Sequence, residues 1–185
     1  PTEVSIDFEA GVPVAVNGEK MKVSQIIAKL NELGGKNGIG ILDIVENRLI
    51  GMKDHGIYET PGGTILYFAH EQLEMLTLDK ETAHMKSKLA VDYADLIYNG
   101  KWFSALQEAL TAFAKKANEN CTGTVKLKLY KGNMINAGIT SPYSLYSENL
   151  VTFGESDFNQ AEAAGFINIW GLPTKVQALR EQGKL

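Results

Sequence analysis

Val4, Ile6 and Phe8 alternate with Ser5, Asp7 and Glu9, and beyond Ala10-Gly11 the alternation resumes at Val12, Val14 and Val16 up to Asn17-Gly18. A period of two bounded by turn residues predicts two antiparallel strands. Ile26, Ile27, Leu30 and Leu33 then recur at helical spacing behind Ser24 and stop at Gly34-Gly35. That pattern predicts a short amphipathic helix with a glycine C-terminal cap. Ile39, Ile41, Leu42, Ile44 and Val45 form a near-continuous apolar run, the pattern of a strand covered on both faces, which would deliver Glu46 to the end of a central strand.

Downstream, Ile65, Ala69, Leu73 and Leu76 line one helical face behind Pro61, whose missing N–H costs little at a helix start. A second helix opens near Asp79, carries Met85, Leu89, Tyr93 and Leu96 on one face, and ends at Asn99-Gly100. A third follows the capping pair Ser104 and Gln107 with a stripe of Leu106, Ala109, Leu110, Phe113, Ala114 and Ala117. Three successive amphipathic helices must cover something, and the sheet is the expected partner. Val125, Leu127 and Leu129, then Ile135, Ala137 and Ile139 beyond Lys131-Gly132-Asn133, predict a hairpin with one wet face. Leu150, Val151 and Phe153 mark a short strand, and 165–182 reads as helix broken at Gly171-Leu172-Pro173, with Trp170, Val176 and Leu179 exposed on an arm. The fold class is α+β: a mostly antiparallel or mixed sheet covered by helices over residues 1–164, and a C-terminal helical arm over 165–185.

Between the apolar run and the first of those three helices, Ile44 to Thr64 crowds together Glu46, Asp54, Glu59, Arg48, Tyr58, His55 and four glycines. Loops on a rigid scaffold present such groups to ligands, although a capped surface loop has the same composition. The amides around Thr60, Gly63 and Thr64 could receive an anion or be capped within the chain. Gly34 to Gly40 is glycine-rich, but its order is helix, glycines, strand, the reverse of a nucleotide loop. It reads as a helix cap.

Composition narrows the classes. Lys+Arg number 18 against 22 Asp+Glu, a formal net charge of -4 that gives no reason to expect nucleic acid. The single Cys121 excludes an internal disulfide, suits a reducing compartment and reads as a structural thiol. No apolar run is long enough to span a membrane and no signal pattern opens the chain, so a cytoplasmic location is expected. His55, His70 and His84 have no metal-ligand spacing, and no nucleophile motif is present, so neither a metal nor a catalytic residue is assigned.

The polar stretch also carries a resemblance. Glu46-Asn47-Arg48, Gly51-Met52-Lys53 and Gly56-Ile57-Tyr58-Glu59-Thr60-Pro61-Gly62-Gly63-Thr64 resemble the signature in the C-terminal half of argininosuccinate synthase, with support from Ser141-Pro142-Tyr143-Ser144-Leu145-Tyr146 and Gly165-Phe166-Ile167-Asn168-Ile169. The resemblance covers essentially the whole chain but only the second half of the family's chain, and the opening at Pro1 rather than Met agrees with a longer parent. It departs from the family at Asp54-His55, where Ser-Arg is usual.

What the resemblance implies is an AMP-forming ligase of arginine biosynthesis. ATP adenylates the ureido oxygen of citrulline with loss of pyrophosphate, and the aspartate amine then displaces AMP. ATP and aspartate would be reached through the N-terminal half, leaving this piece without a cofactor of its own and inactive alone. Glu46 and Tyr58 would contact citrulline, Glu46 receiving its ammonium and Tyr58 donating a hydrogen bond while covering the aliphatic stem. Arg48 is either a carboxylate clamp or a salt-bridge partner of Glu46 or Glu59. The family is homotetrameric, so self-association is expected. The alternative is a free-standing, non-catalytic small-molecule-binding or oligomerisation module.

Overall fold

The structure, a computed structural model, describes residues 1–150 and 159–185. Strands β1 (Thr2–Glu9), β2 (Val12–Val16), β3 (Glu19–Lys20), β6 (Gly123–Tyr130) and β7 (Asn133–Thr140) form an antiparallel sheet in the order β3-β2-β1-β6-β7. Strands β4 (Ile41–Asn47) and β5 (Lys53–Glu59) form a separate two-stranded ribbon. The helices are α1 (Val23–Lys36), α2 (Pro61–Thr77), α3 (Lys80–Tyr98), α4 (Ala105–Ala117), α5 (Ala163–Trp170) and α6 (Leu172–Glu181). The α+β class read from the sequence is the class observed.

Ile6 sits opposite Val16 on one side and Val125 on the other, so one sheet face gathers Val4, Ile6, Phe8, Val16, Val125, Leu127 and Leu129. Ile26 and Leu30 from α1, and Ile65, Ala69 and Leu73 from α2, close over that face and are fully buried with it. At about 1.5–3 kcal/mol for each large apolar side chain, this layer is the main stabilising contact of the fold. Three hairpin turns, Ala10-Gly11, Asn17-Gly18 and Lys131-Gly132, all have both residues at positive φ, the two-residue form whose twist matches the strands.

The simple alternation fails at two bulges. Val14 is extra between the pairs Asp7/Ala15 and Phe8/Pro13, so Ala15 joins Val16 in the core and Val12 is exposed. Ala137 is extra between Lys126/Gly138 and Leu127/Asn136, which turns Met134 and Ile139 inward and leaves Ile135 outside. One inserted residue moves every later side chain to the other face.

Two helix expectations also need correction. The glycine that caps α1 is not in the Gly34-Gly35 pair but is Gly38, at positive φ, with the Gly38 amide donating to the Gly35 carbonyl and the Ile39 amide to the Gly34 carbonyl. The helix begins at Val23, with Gln25 Oε1 accepting from the Lys22 amide, runs through both glycines, and ends at Asn37. Gly34 is instead a close-packing position, where a Cβ would stand 2.7 Å from Pro61 Cβ. Nor do three successive helices cover the sheet. α2 does so, but α3 has no buried residue and packs along α4, where Gln107 Nε2 donates to Tyr93 Oη and Thr111 Oγ1. The two helices cover part of their apolar stripes against each other, without the sheet.

Where α2 leaves the sheet, charged groups meet the core edge. His70 lies edge-on to Phe8 with ring centroids 5.6 Å apart, and its Nδ1 is 3.1 Å from Glu74 Oε1, which also takes Lys86 Nζ from α3 at 2.7 Å. Burial opposes a charge on His70, but hydrogen bonds to Cys121 and Glu74 outweigh it and raise the imidazole from 6.5 to about 9.

The chain divides into two compact units, Pro1–Leu145 and Tyr146–Leu185. The second holds a 3₁₀ turn (Gln160–Glu162), α5 and α6, with Gly171 between the helices at the break read from the sequence. Trp170 and Val176 are exposed there as expected, together with Phe166, Ile167 and Ile169, whereas Leu179 is half-buried rather than exposed, and Phe166 stacks on Trp170 at 5.5 Å. The strand expected at Leu150, Val151 and Phe153 falls, beyond Leu150, outside the described residues. No helix among those described is long and apolar enough to cross a membrane.

Candidate ligand-binding site

The polar stretch is a β-ribbon followed directly by a helix, not a loop. Pairing runs from Ile41/Glu59 to Asn47/Lys53, and the tip closes with the Arg48 amide donating to the Met52 carbonyl at 2.7 Å and the Gly51 amide to the Arg48 carbonyl at 2.8 Å. At the other end the Thr60 amide donates to the Gly40 carbonyl, which ties the ribbon base to the start of α2.

Glu46 is therefore not at the end of a central strand. The apolar run that suggested one belongs to a two-stranded ribbon whose outer residues Ile41, Val45 and Ile57 are 63–67% exposed. An uninterrupted apolar run records a tendency to be covered, and the covering surface for these residues is not among those described.

Pleating sorts the ribbon into two faces. One carries Leu42, Ile44 and Glu46 opposite Tyr58, Gly56 and Asp54, and the other carries Asp43, Val45 and Asn47 opposite Ile57, His55 and Lys53. On the first face the Tyr58 hydroxyl donates a hydrogen bond to Glu46 Oε1. That bond is the largest cause raising the Tyr58 phenol above its ordinary value, followed by desolvation and the charges of Glu46 and Asp54. The two residues the resemblance singled out are thus in direct contact, and the Tyr58 proton expected to go to a ligand goes to Glu46 instead.

The neighbouring charges are arranged around this pair. Arg48 Nη1 lies 3.5 Å from Asp54 Oδ2, so its counterion is neither Glu46 nor Glu59, the partners considered from sequence. Glu46 keeps its carboxylate for Tyr58 and for whatever approaches the face. His55 Nε2 reaches Asp43 Oδ1 at 2.6 Å on the opposite face. Asp54 and His55, the positions that depart from the usual Ser-Arg, are both engaged within the ribbon.

The start of α2 is capped from within. Asn31 Oδ1 on α1 accepts from the Gly62 amide at 2.8 Å, and the Thr64 amide and hydroxyl both donate to the Thr60 carbonyl. A Cβ on Gly62 would meet Asn31 Oδ1 at 2.7 Å and the Ile27 carbonyl at 2.8 Å, and one on Gly40 would stand 2.6 Å from Pro61 Cα. The glycines around Pro61 are there for close packing of α1, the ribbon base and α2. With the Thr60, Gly62 and Thr64 amides engaged within the chain, an anion has little purchase on this helix start. Among the described residues no group of three or more His, Cys, Asp or Glu converges as a cation would require.

Residues 1–177 match the family described as Arginosuccinate synthase C-terminal domain. The chain belongs to the argininosuccinate synthase family. Among curated relatives bearing that name, the protein of Carboxydothermus hydrogenoformans is 61% identical over 183 residues and that of Desulforamulus reducens 60% identical over 183, each match covering 98% of this chain and 46% of the relative. The protein of Caldanaerobacter subterraneus subsp. tengcongensis is 57% identical over 185 residues, all of this chain and 45% of the relative. The chain spans less than half the length of these argininosuccinate synthases.

Asn31 and Gly56 escaped the sequence reading. Asn31 sits among helical residues with nothing to mark it as a cap for a helix thirty residues on, and Gly56 reads as one loop glycine among several. Only strand pairing puts Gly56 between Tyr58 and Asp54 on the face of Glu46.

Proposed function

We propose that this chain is the citrulline-binding and oligomer-forming half of a cytoplasmic argininosuccinate synthase, a ligase that joins citrulline to aspartate with conversion of ATP to AMP and pyrophosphate. The observation that carries this reading is the Glu46–Tyr58 contact on one face of the ribbon. Tyr58 has a single proton, and it is committed to Glu46, so the pair presents to a ligand only acceptors: the second carboxylate oxygen and the phenol lone pairs. Such a pair suits an ammonium, the cationic end of citrulline, and the ring of Tyr58 can lie against an aliphatic stem. Activation of the ureido oxygen and delivery of aspartate belong to the remaining half of the enzyme, where ATP binds.

The test is ATP-to-AMP turnover dependent on both citrulline and aspartate. The full-length protein is expected to show it and this chain alone to show none, because the activating step needs the nucleotide site. Turnover by the isolated chain, or none by the full-length protein, overturns the reading. The second result would favour a non-catalytic binding module.

The apolar surface of α5 supports self-association, for which the family resemblance suggests a homotetramer, since Phe166, Ile167, Ile169 and Trp170 are all more than 60% exposed within a short span. Contiguous exposed apolar residues usually mark an interface. Sedimentation of the full-length protein is expected to show an oligomer that dissociates when residues 163–185 are deleted. An unchanged oligomer after that deletion places the interface elsewhere.

A further inference from the structure

Gly56 lies between Asp54 and Tyr58 on the face that carries Glu46. A Cβ built there would stand 2.6 Å from Tyr58 Cε2 and 2.7 Å from Cζ and Oη, and these are the three nearest heavy atoms. Carbon atoms prefer separations of about 3.5–4.0 Å, so ring and side chain cannot share this space. Side chains in a strand ordinarily stand away from the sheet. The Tyr58 ring instead lies back along its own strand, over the bare Cα of residue 56, and so reaches a carboxylate whose partner in the ladder is Asp54.

The backbone offers no other reason for glycine. Gly56 is not among the residues at positive φ, so an L side chain is compatible with its conformation, and the first obstacle such a side chain meets is the Tyr58 ring.

We propose that Gly56 is a positioning residue for the ammonium-binding pair, its missing side chain being what allows the Tyr58 ring to lie along the ribbon and hold Glu46. The inference rests on the reading of Glu46 and Tyr58 as the citrulline site. Gly56 need not touch the ligand. It acts through where the phenol oxygen and the carboxylate stand, and a displacement of about 1 Å in such groups can cost up to a hundredfold.

The experiment uses the full-length enzyme with Gly56→Ala, Tyr58→Ala and the double variant. Gly56→Ala is expected to lower kcat/KM for citrulline by roughly tenfold or more, with the KM for ATP and the thermal midpoint near the parent's. In the Tyr58→Ala background the same substitution should add almost nothing, because no ring remains to be displaced. A second readout is independent of activity. With ¹³Cζ-labelled tyrosine, the Tyr58 signal, assigned by its loss in Tyr58→Ala, should titrate above an ordinary tyrosine in the parent and closer to ordinary in Gly56→Ala.

Parent-like citrulline kinetics and an unmoved Tyr58 titration in Gly56→Ala overturn the proposal, as does an equal further loss in the Tyr58→Ala background. If Tyr58→Ala and Glu46→Gln themselves leave citrulline kinetics unchanged, it is the site reading that fails, and the Tyr58 titration still decides the positioning role.

Discussion

Replacing Glu46 by Gln in the full-length enzyme is expected to weaken citrulline capture by roughly 10- to 150-fold while leaving the KM for ATP unchanged. The substitution keeps the shape of the side chain and an oxygen that can accept the Tyr58 proton, so the ribbon face should persist. What it removes is the negative charge that, on the proposed reading, would face the ammonium. One charged hydrogen bond contributes about 1.5–3 kcal/mol, and each 1.4 kcal/mol is about tenfold. Tyr58→Phe keeps the ring over Gly56 and removes a single hydrogen bond. It should weaken citrulline capture in the same direction as Glu46→Gln and by less, because the carboxylate and its charge remain. The measurement is steady-state kinetics with citrulline and ATP varied in turn. A Glu46→Gln enzyme with unchanged kcat/KM for citrulline removes this residue from the site.

The parts of this fold that were legible in the sequence are those set by local rules. Val4, Ile6 and Phe8, and Val125, Leu127 and Leu129, announce the buried sheet face because side-chain direction in a strand depends only on parity. Val14 and Ala137 misled because a bulge is a property of a strand pair, and a single strand does not reveal how its partner will count. The same holds for the ribbon. Nothing in Ile41–Asn47 says whether one strand or several will lie beside it, so an apolar run suggested a central strand where a two-stranded ribbon stands.

For the candidate site, composition pointed to the polar stretch, but the choice of Glu46 and Tyr58 came from the family resemblance. The geometry then supplied the reason for their twelve-residue spacing. The tip turn between Arg48 and Met52 folds the chain back so that both project from one face, and Gly56 leaves room for them to meet. A regular loop of the same composition would have had no such relation between the two positions.

The stability of the protein should fall as pH rises from 6.5 to about 9, and His70→Gln should abolish much of that fall. In the folded chain the His70 imidazole is raised from 6.5 to about 9. Burial on its own would lower it, but the hydrogen bonds to Cys121 and Glu74 and the charge of Glu74 more than reverse that effect. A group whose folded value lies above its unfolded one stabilises the fold fully below the unfolded value and loses that contribution as pH rises through the folded one. The contribution of His70 is therefore complete below 6.5 and gone above about 9.

Glu74 has the opposite sign. Burial alone would raise it, but His70 and Lys86 hold its carboxyl below the ordinary 4.5, so its contribution is present above 4.5 and lost as pH falls through its folded value. Together the cluster is most stabilising between about 4.5 and 6.5. The full displacement of His70 would correspond to about 3 kcal/mol, and solvent reaching the exposed edge of the ring screens this to roughly 2 kcal/mol. Lys86 faces the same carboxylate from α3 and keeps Glu74 partly paired when His70 is neutral, so the decline should be gradual rather than a collapse. Thermal or urea unfolding of parent and His70→Gln at pH 6.5 and pH 9 measures the difference directly. The parent should lose roughly 2 kcal/mol more than the variant across that interval. Equal losses in the two proteins would mean that His70 carries no extra proton in the folded state and that the Glu74 contact is made by a neutral ring.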